Sequence, residues 1–96
     1  MNIAQKLQTH RNQIILLGNQ YGASNIRIFG SASRNEAKLT SDLDFIVTLE
    51  PGHTLLDLGG FLMEVQEILG MPVDVVTDDS LHPLLKEGIL REAKPI

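Results

Sequence analysis

The sequence predicts an α+β fold of α/β-like order, in which a small mixed β-sheet of three to four strands is flanked by helices. Segments with apolar residues at helical spacing alternate with short runs rich in β-branched residues, in the order α-β-turn-β-α-β-α. The chain has 96 residues, of which 43% are hydrophobic. Because two cores would each have too little surface to bury, we expect a single domain over residues 1–96.

The first half of the chain predicts one helix and two strands. Apolar residues recur at helical spacing over residues 3–17, and the predicted helix ends within residues 18–22. Residues 25–29 alternate and are rich in β-formers, which predicts a short strand. Residues 30–41 follow as a turn and a polar loop. Residues 43–49 form the clearest strand of the sequence.

The second half predicts a helix, a strand and a last helix. Thr54 is a suitable N-cap for the first of these helices, and Gly70 is expected to end it. Residues 73–77 form an apolar strand interrupted by one acid. Pro83 suits the first position of the last helix, and residues 94–96 are a candidate fourth strand.

Two features of the middle helix concern its packing. Gly59 and Gly60 each cost about 1 kcal/mol relative to alanine in a helix, so we expect that stretch to be either frayed or closely packed. Glu64, Gln66 and Glu67 lie between the apolar positions and are expected to face solvent.

Charge and composition exclude several classes of function. The net charge is −4, so direct nucleic-acid binding is not expected, since such proteins usually carry a clustered basic face. The chain has no cysteine, which excludes disulfides and thiolate metal sites. No apolar stretch is long enough to span a bilayer, and the first residues do not resemble a signal peptide. We therefore expect a cytoplasmic protein with no membrane partner.

Three aspartates on predicted strands form the first half of a candidate site. Asp42 and Asp44 are two residues apart, so they point to the same face of their strand at a spacing of about 6.6 Å. Asp74 lies within the apolar strand and would join them if the two strands are neighbours. Carboxylates suit Mg²⁺ or Mn²⁺, and two-metal phosphoryl-transfer sites hold ions about 3.5–4 Å apart. The spacing predicts catalytic metal ligands at Asp42, Asp44 and Asp74.

The turn after the first predicted strand forms the second half. Gly30 allows a phosphate to approach the backbone, and the Ser31 hydroxyl with the following amides can donate to it. Arg34 falls on the same side of such a turn as Ser31 and is a further phosphate-binding candidate.

Each of these motifs, taken alone, also has a purely structural interpretation. A Gly-Ser pair after a strand is usually only a turn, and an Asp-x-Asp pair is usually a solvated strand start. At average residue usage, the two at this spacing would occur by chance in roughly one chain in a thousand of this length. The histidines lack the spacing of zinc ligands, and an EF-hand loop from Asp42 would place Ile46 at a ligand position.

These motifs resemble a known family. Residues 29–34, 41–45 and 73–76 are similar to the minimal nucleotidyltransferases of the DNA polymerase beta-like superfamily, which implies the nucleotidyltransferase fold. More narrowly, the chain resembles the MNT antitoxins that are paired with HEPN-domain ribonuclease toxins. Residues 80–93 are similar to the ending of that subfamily. One departure is Asn35, which stands where the family usually has a glycine after the arginine.

The resemblance also implies roles for the site residues. Gly30 and Ser31 would bind the triphosphate, and Asp42 and Asp44 would bind two Mg²⁺ ions. Asp74 would complete the metal site and help to deprotonate the attacking hydroxyl.

The implied reaction is transfer of AMP from ATP to a hydroxyl, in some members a tyrosine of the HEPN toxin, which silences the toxin. The protein would then form a hetero-oligomer with its toxin. An alternative is a catalytically weak module that neutralises the toxin by covering its active site. A third reading, transfer to a small molecule, is disfavoured because no second domain is available to hold one.

Overall fold

A computed structural model describes residues 3–30 and 43–96 of the chain. Within these residues the chain forms three α-helices, four β-strands and one short 3₁₀ helix, Asp78–Ser80. The α-helices are α1 (Ile3–Tyr21), α2 (Leu55–Leu69) and α3 (Pro83–Glu92). The strands are β1 (Ala23–Phe29), β2 (Leu43–Leu49), β3 (Val73–Thr77) and β4 (Lys94–Pro95).

The four strands form one mixed sheet in the order β3-β2-β1-β4. Strand β1 pairs antiparallel with β2 on one side and with β4 on the other. Strands β2 and β3 pair in parallel, and α2 connects them as a crossover helix. This sheet confirms the predicted fold class, including the fourth strand at the end of the chain.

The core lies between helices α1 and α2 and one face of the sheet. Leu43, Phe45 and Val47 of β2 point into it, and all three are at most 1% exposed. Because strand side chains alternate, Asp44 and Ile46 point to the opposite face. Helices α1 and α2 therefore cover one face, and the acidic residue of β2 lies on the other.

Helix α2 begins and ends with side-chain and glycine caps. The Thr54 hydroxyl accepts a hydrogen bond from the Leu56 amide at 3.2 Å, and the Asp57 carboxylate accepts one from the Thr54 amide at 3.0 Å. The latter bond is the main reason that the pKa of Asp57 lies below its ordinary value. At the other end Gly70 adopts a left-handed conformation with φ of 65°. Both predicted ends of this helix are confirmed.

We expect Thr54→Ala to lower the free energy of unfolding by about 1 kcal/mol, because it removes one half of this capping box. The same substitution at Thr9 is a matched control. Thr9 is exposed within α1 and its hydroxyl donates to the Gln5 carbonyl, so alanine should cost nothing there. Urea unfolding of the two variants measures the difference, and equal values would contradict a stabilising cap at Thr54.

The prediction that the polar residues of α2 all face solvent was wrong for two of the three. Gln66 turns back to accept a hydrogen bond from the Val73 amide at 3.0 Å, which ties α2 to the start of β3. Glu64 is half-buried, and its hydrogen bonding with the Tyr21 phenol raises the pKa of Tyr21. Glu67 is exposed, as expected. Polar side chains near helix contacts satisfy backbone or hydroxyl groups that periodicity does not reveal.

The paired glycines of α2 have different surroundings. A Cβ atom on Gly60 would lie 2.6 Å from Cε1 of Tyr21, whereas one on Gly59 would meet nothing within 4 Å. Gly60 therefore lets the Tyr21 ring pack directly against the α2 backbone. Of the two predicted alternatives, close packing is the correct one at Gly60.

The helices among residues 3–30 and 43–96 include none that combines the length and apolar character needed to cross a bilayer.

Candidate functional site

The parallel pairing of β2 and β3 sets two acidic residues side by side. Asp44 and Asp74 are direct partners in the register of the two strands. Neighbouring strands are about 4.8 Å apart, and paired residues point to the same face, so both carboxylates project from the face that α1 and α2 leave uncovered. Asp74 is exposed and Asp44 is half-buried. The sheet thus delivers two oxygen-rich side chains to one place.

Gly30 lies at the same end of the sheet. Its neighbour Phe29 is the antiparallel partner of Asp44, so β1 brings the following turn next to that carboxylate. Gly30 has a φ of 70°, and a Cβ atom built on it would lie 2.9 Å from Oδ2 of Asp44. The glycine backbone and the carboxylate are therefore in close contact.

Three predicted site residues, Gly30, Asp44 and Asp74, are thus brought together. Ser31, Arg34 and Asp42 lie outside the described residues, as does Asn35.

The described part of the site offers a divalent cation two carboxylates from adjacent strands. Within residues 3–30 and 43–96, no group of three or more potential ligands is placed to hold a metal ion, and the third predicted ligand, Asp42, is not among them. Carboxylate oxygens are the ligands that Mg²⁺ and Mn²⁺ prefer, and Mg²⁺ is usually held by one or two of them together with substrate phosphates. The donor set at Asp44 and Asp74 therefore fits such an ion.

A second polar cluster occupies the same sheet face, and the sequence analysis did not identify it. Arg27 is 14% exposed, and its Nη2 lies 3.5 Å from Oδ2 of Asp78. The Thr48 hydroxyl donates to the same carboxylate oxygen at 2.6 Å. This cluster ties the segment after β3 to both β1 and β2, and so helps to fix the strand that carries Asp74. The position of a charged residue between Ile26 and Ile28 was the available signal.

Backbone geometry supports the placement of Arg27. Asn25 has a φ of 50°, and the register of β1 against β2 shifts between Ser24 and Arg27. The Asn25 carbonyl accepts a hydrogen bond from Nε of Arg27 at 3.0 Å. Irregularities of this kind commonly redirect a side chain near a functional site, and here the redirected group is the arginine that holds Asp78.

Nucleotidyl-transfer proteins hold metal ions and phosphates with this kind of arrangement, paired strand carboxylates beside a glycine turn. Residues 15–96 match the family described as nucleotidyltransferase domain. The chain belongs to this family.

Relatives of the chain are named as protein adenylyltransferases. The chain is 47% identical over 83 residues to a candidate protein adenylyltransferase of Methanocaldococcus jannaschii, covering 86% of this chain and 89% of that protein. It is 34% identical over 86 residues to the protein adenylyltransferase MntA of Thermococcus cleftensis, covering 90% and 84% of the two chains.

Solved structures share the fold. A structure described as a candidate minimal nucleotidyltransferase has a TM-score of 0.89 and 40% identity, covering 100% of this chain and 97% of that one. A toxin-antitoxin complex with AMP-PNP gives a TM-score of 0.72 at 23% identity, covering 88% of this chain and 69% of the other. A tri-AMPylated HEPN toxin of Shewanella oneidensis in complex with its MNT antitoxin gives 0.67 at 22% identity, covering 92% and 69%. These comparisons confirm the nucleotidyltransferase fold.

Proposed function

We propose that this protein is an antitoxin that transfers AMP from ATP to a hydroxyl group, a tyrosine, of a partner HEPN ribonuclease toxin and so neutralises it. The placement of Asp44 and Asp74 as direct neighbours on one sheet face, with Gly30 against Asp44, carries the proposal. The names of the relatives, both protein adenylyltransferases, support the type of reaction. The HEPN toxin bound to an MNT antitoxin in the Shewanella oneidensis complex supports the type of partner.

The reaction follows from the chemistry of the two substrates. The acceptor oxygen forms a bond to the α-phosphorus of ATP, while the bond from that phosphorus to the oxygen bridging to the β-phosphate breaks. Pyrophosphate leaves in line with the attacking oxygen. The proton of the acceptor hydroxyl passes to the Asp74 carboxylate and from there to solvent, to which Asp74 is exposed.

The remaining residues bind and orient the nucleotide in this proposal. Asp42, Asp44 and Asp74 would hold two Mg²⁺ ions, or Mn²⁺, which neutralise charge on the phosphates and on the departing pyrophosphate. Gly30, Ser31 and Arg34 would hold the triphosphate. Asp44 is half-buried on β2, the strand between β1 and β3, so the sheet presents its carboxylate at the same place as that of Asp74.

The experiment that tests this function uses the protein together with a HEPN-domain ribonuclease as the candidate partner. The pair is incubated with ATP and Mg²⁺, and the intact mass of the partner is measured over time. We expect stepwise additions of one AMP each, located on a tyrosine by peptide mapping, and loss of the partner's ribonuclease activity in step with them. Neutralisation of the ribonuclease without any gain in mass would contradict the proposal and would instead indicate masking by complex formation.

A further inference from the structure

The contact between Gly30 and Asp44 also determines whether residue 30 can carry a side chain. A Cβ atom on Gly30 would lie 2.9 Å from Oδ2 of Asp44 and 3.8 Å from its Cγ. Carbon and oxygen atoms that are not bonded to each other rarely approach so closely. The Asp44 carboxylate therefore occupies the place that any side chain at residue 30 would need.

The atom in conflict is the end of a short side chain and not backbone. The carboxylate of Asp44 can rotate about its two side-chain bonds, so the fold has a simple way to accommodate a methyl group on Gly30. The strand pairing of Asp44 with Phe29 and Asp74 involves only backbone and need not change. The cost of a side chain at residue 30 would thus fall on the direction of the carboxylate.

We infer that Gly30 is a positioning residue for Asp44. Because Gly30 has no side chain, the Asp44 carboxylate can point toward Asp74 and the proposed metal site. This inference rests on the proposed function, because it concerns how the metal ligand of the transfer reaction is oriented. It adds a second reason for glycine at this position, separate from the approach of phosphate to the backbone. The two reasons make different predictions for a metal ion alone.

The test is Gly30→Ala with Gly52→Ala as its matched control. Both glycines have positive φ, 70° and 88°, so both variants carry the strain of a side chain in the left-handed region. A Cβ atom on Gly52 meets nothing within 4 Å, so only Gly30→Ala adds the conflict with a carboxylate. Comparable shifts of the urea unfolding midpoint in the two variants would show that the remaining effects of Gly30→Ala are local.

Two measurements follow on the isolated protein without nucleotide. Mn²⁺ binding is measured by the relaxation rate of water protons, with Asp44→Ala as the reference for a lost ligand. We expect Gly30→Ala to weaken Mn²⁺ binding by about tenfold or more, because substitutions of residues that orient a metal ligand commonly have effects of this size. Gly52→Ala should leave Mn²⁺ binding unchanged. A crystal structure of Gly30→Ala should show the Asp44 carboxylate rotated away from its wild-type direction.

Either of two results would overturn the inference. One is an Asp44 carboxylate in its original direction in the Gly30→Ala crystal structure, with the Cβ atom accommodated by backbone movement. The other is unchanged Mn²⁺ binding by Gly30→Ala, which would mean that Gly30 does not orient the metal-binding carboxylate. Neither measurement involves a partner protein, so failure here is distinct from failure of AMP transfer.

Discussion

Asp74→Asn should abolish AMP transfer to the partner toxin while the protein stays folded. The substitution keeps the size of the side chain but removes the charge that would bind a metal ion and accept the proton. A bound metal contributes several kcal/mol to stabilisation of the transition state, and each 1.36 kcal/mol is a factor of ten in rate. We therefore expect a decrease of about a thousandfold or more. The initial rate of AMP addition, measured by intact mass with saturating ATP and Mg²⁺, is the readout.

Folding should be unaffected because Asp74 is exposed, on the sheet face opposite α1 and α2. The matched control is Glu67→Gln, which removes one exposed negative charge from α2, on the opposite side of the sheet. It should transfer AMP at the wild-type rate, which excludes an effect of net charge alone. If Asp74→Asn unfolds the protein, the carboxylate has a structural role. If the folded variant transfers AMP within tenfold of the wild-type rate, the assigned chemistry is wrong.

The elements of this fold were largely readable from the sequence because its helices and strands follow different periodicities. Residues 43–49 and 73–77 were predicted as strands with the bounds that the structure gives to β2 and β3. Even when both strands are predicted, the spacing of two separate segments cannot specify their pairing. The parallel register that pairs Asp44 with Asp74 is set by the tertiary structure. The sequence predicted convergence only on the condition that these strands were neighbours.

Other contacts escaped prediction for a common reason. The hydrogen bond from the Val73 amide to Gln66 and the pairing of Arg27 with Asp78 join residues that are distant in sequence or on different elements. Polarity alone predicts exposure for such side chains, whereas burial next to an unsatisfied backbone or charged group reverses that expectation. The close approach of Gly30 to Asp44 is of the same type. A glycine in a sequence indicates a backbone free to adopt unusual dihedral angles, but it does not indicate which atoms lie where a side chain would be.

Phe45→Ala should lower the free energy of unfolding by about 3–5 kcal/mol, because Phe45 is fully buried and its removal leaves a cavity between β2 and the helices. Small domains have a total stability of about 5–15 kcal/mol, so this variant should be close to unfolding. Leu84→Ala is the control. Leu84 is 87% exposed on α3, and its loss should change stability by less than about 0.5 kcal/mol in urea unfolding.

The Phe45 variant also separates loss of folding from loss of chemistry. Phe45 follows Asp44 in β2 but points into the core, so the site should stay intact in the folded fraction of Phe45→Ala. ATP with Mg²⁺ that binds only the folded state at 100 times its dissociation constant should restore about 2.7 kcal/mol, and AMP transfer should recover with it. Asp74→Asn should show the opposite behaviour, with full folding and no recovery at any nucleotide concentration. If Phe45→Ala regains stability with ATP but not transfer, the core and the site are coupled more tightly than strand alternation predicts.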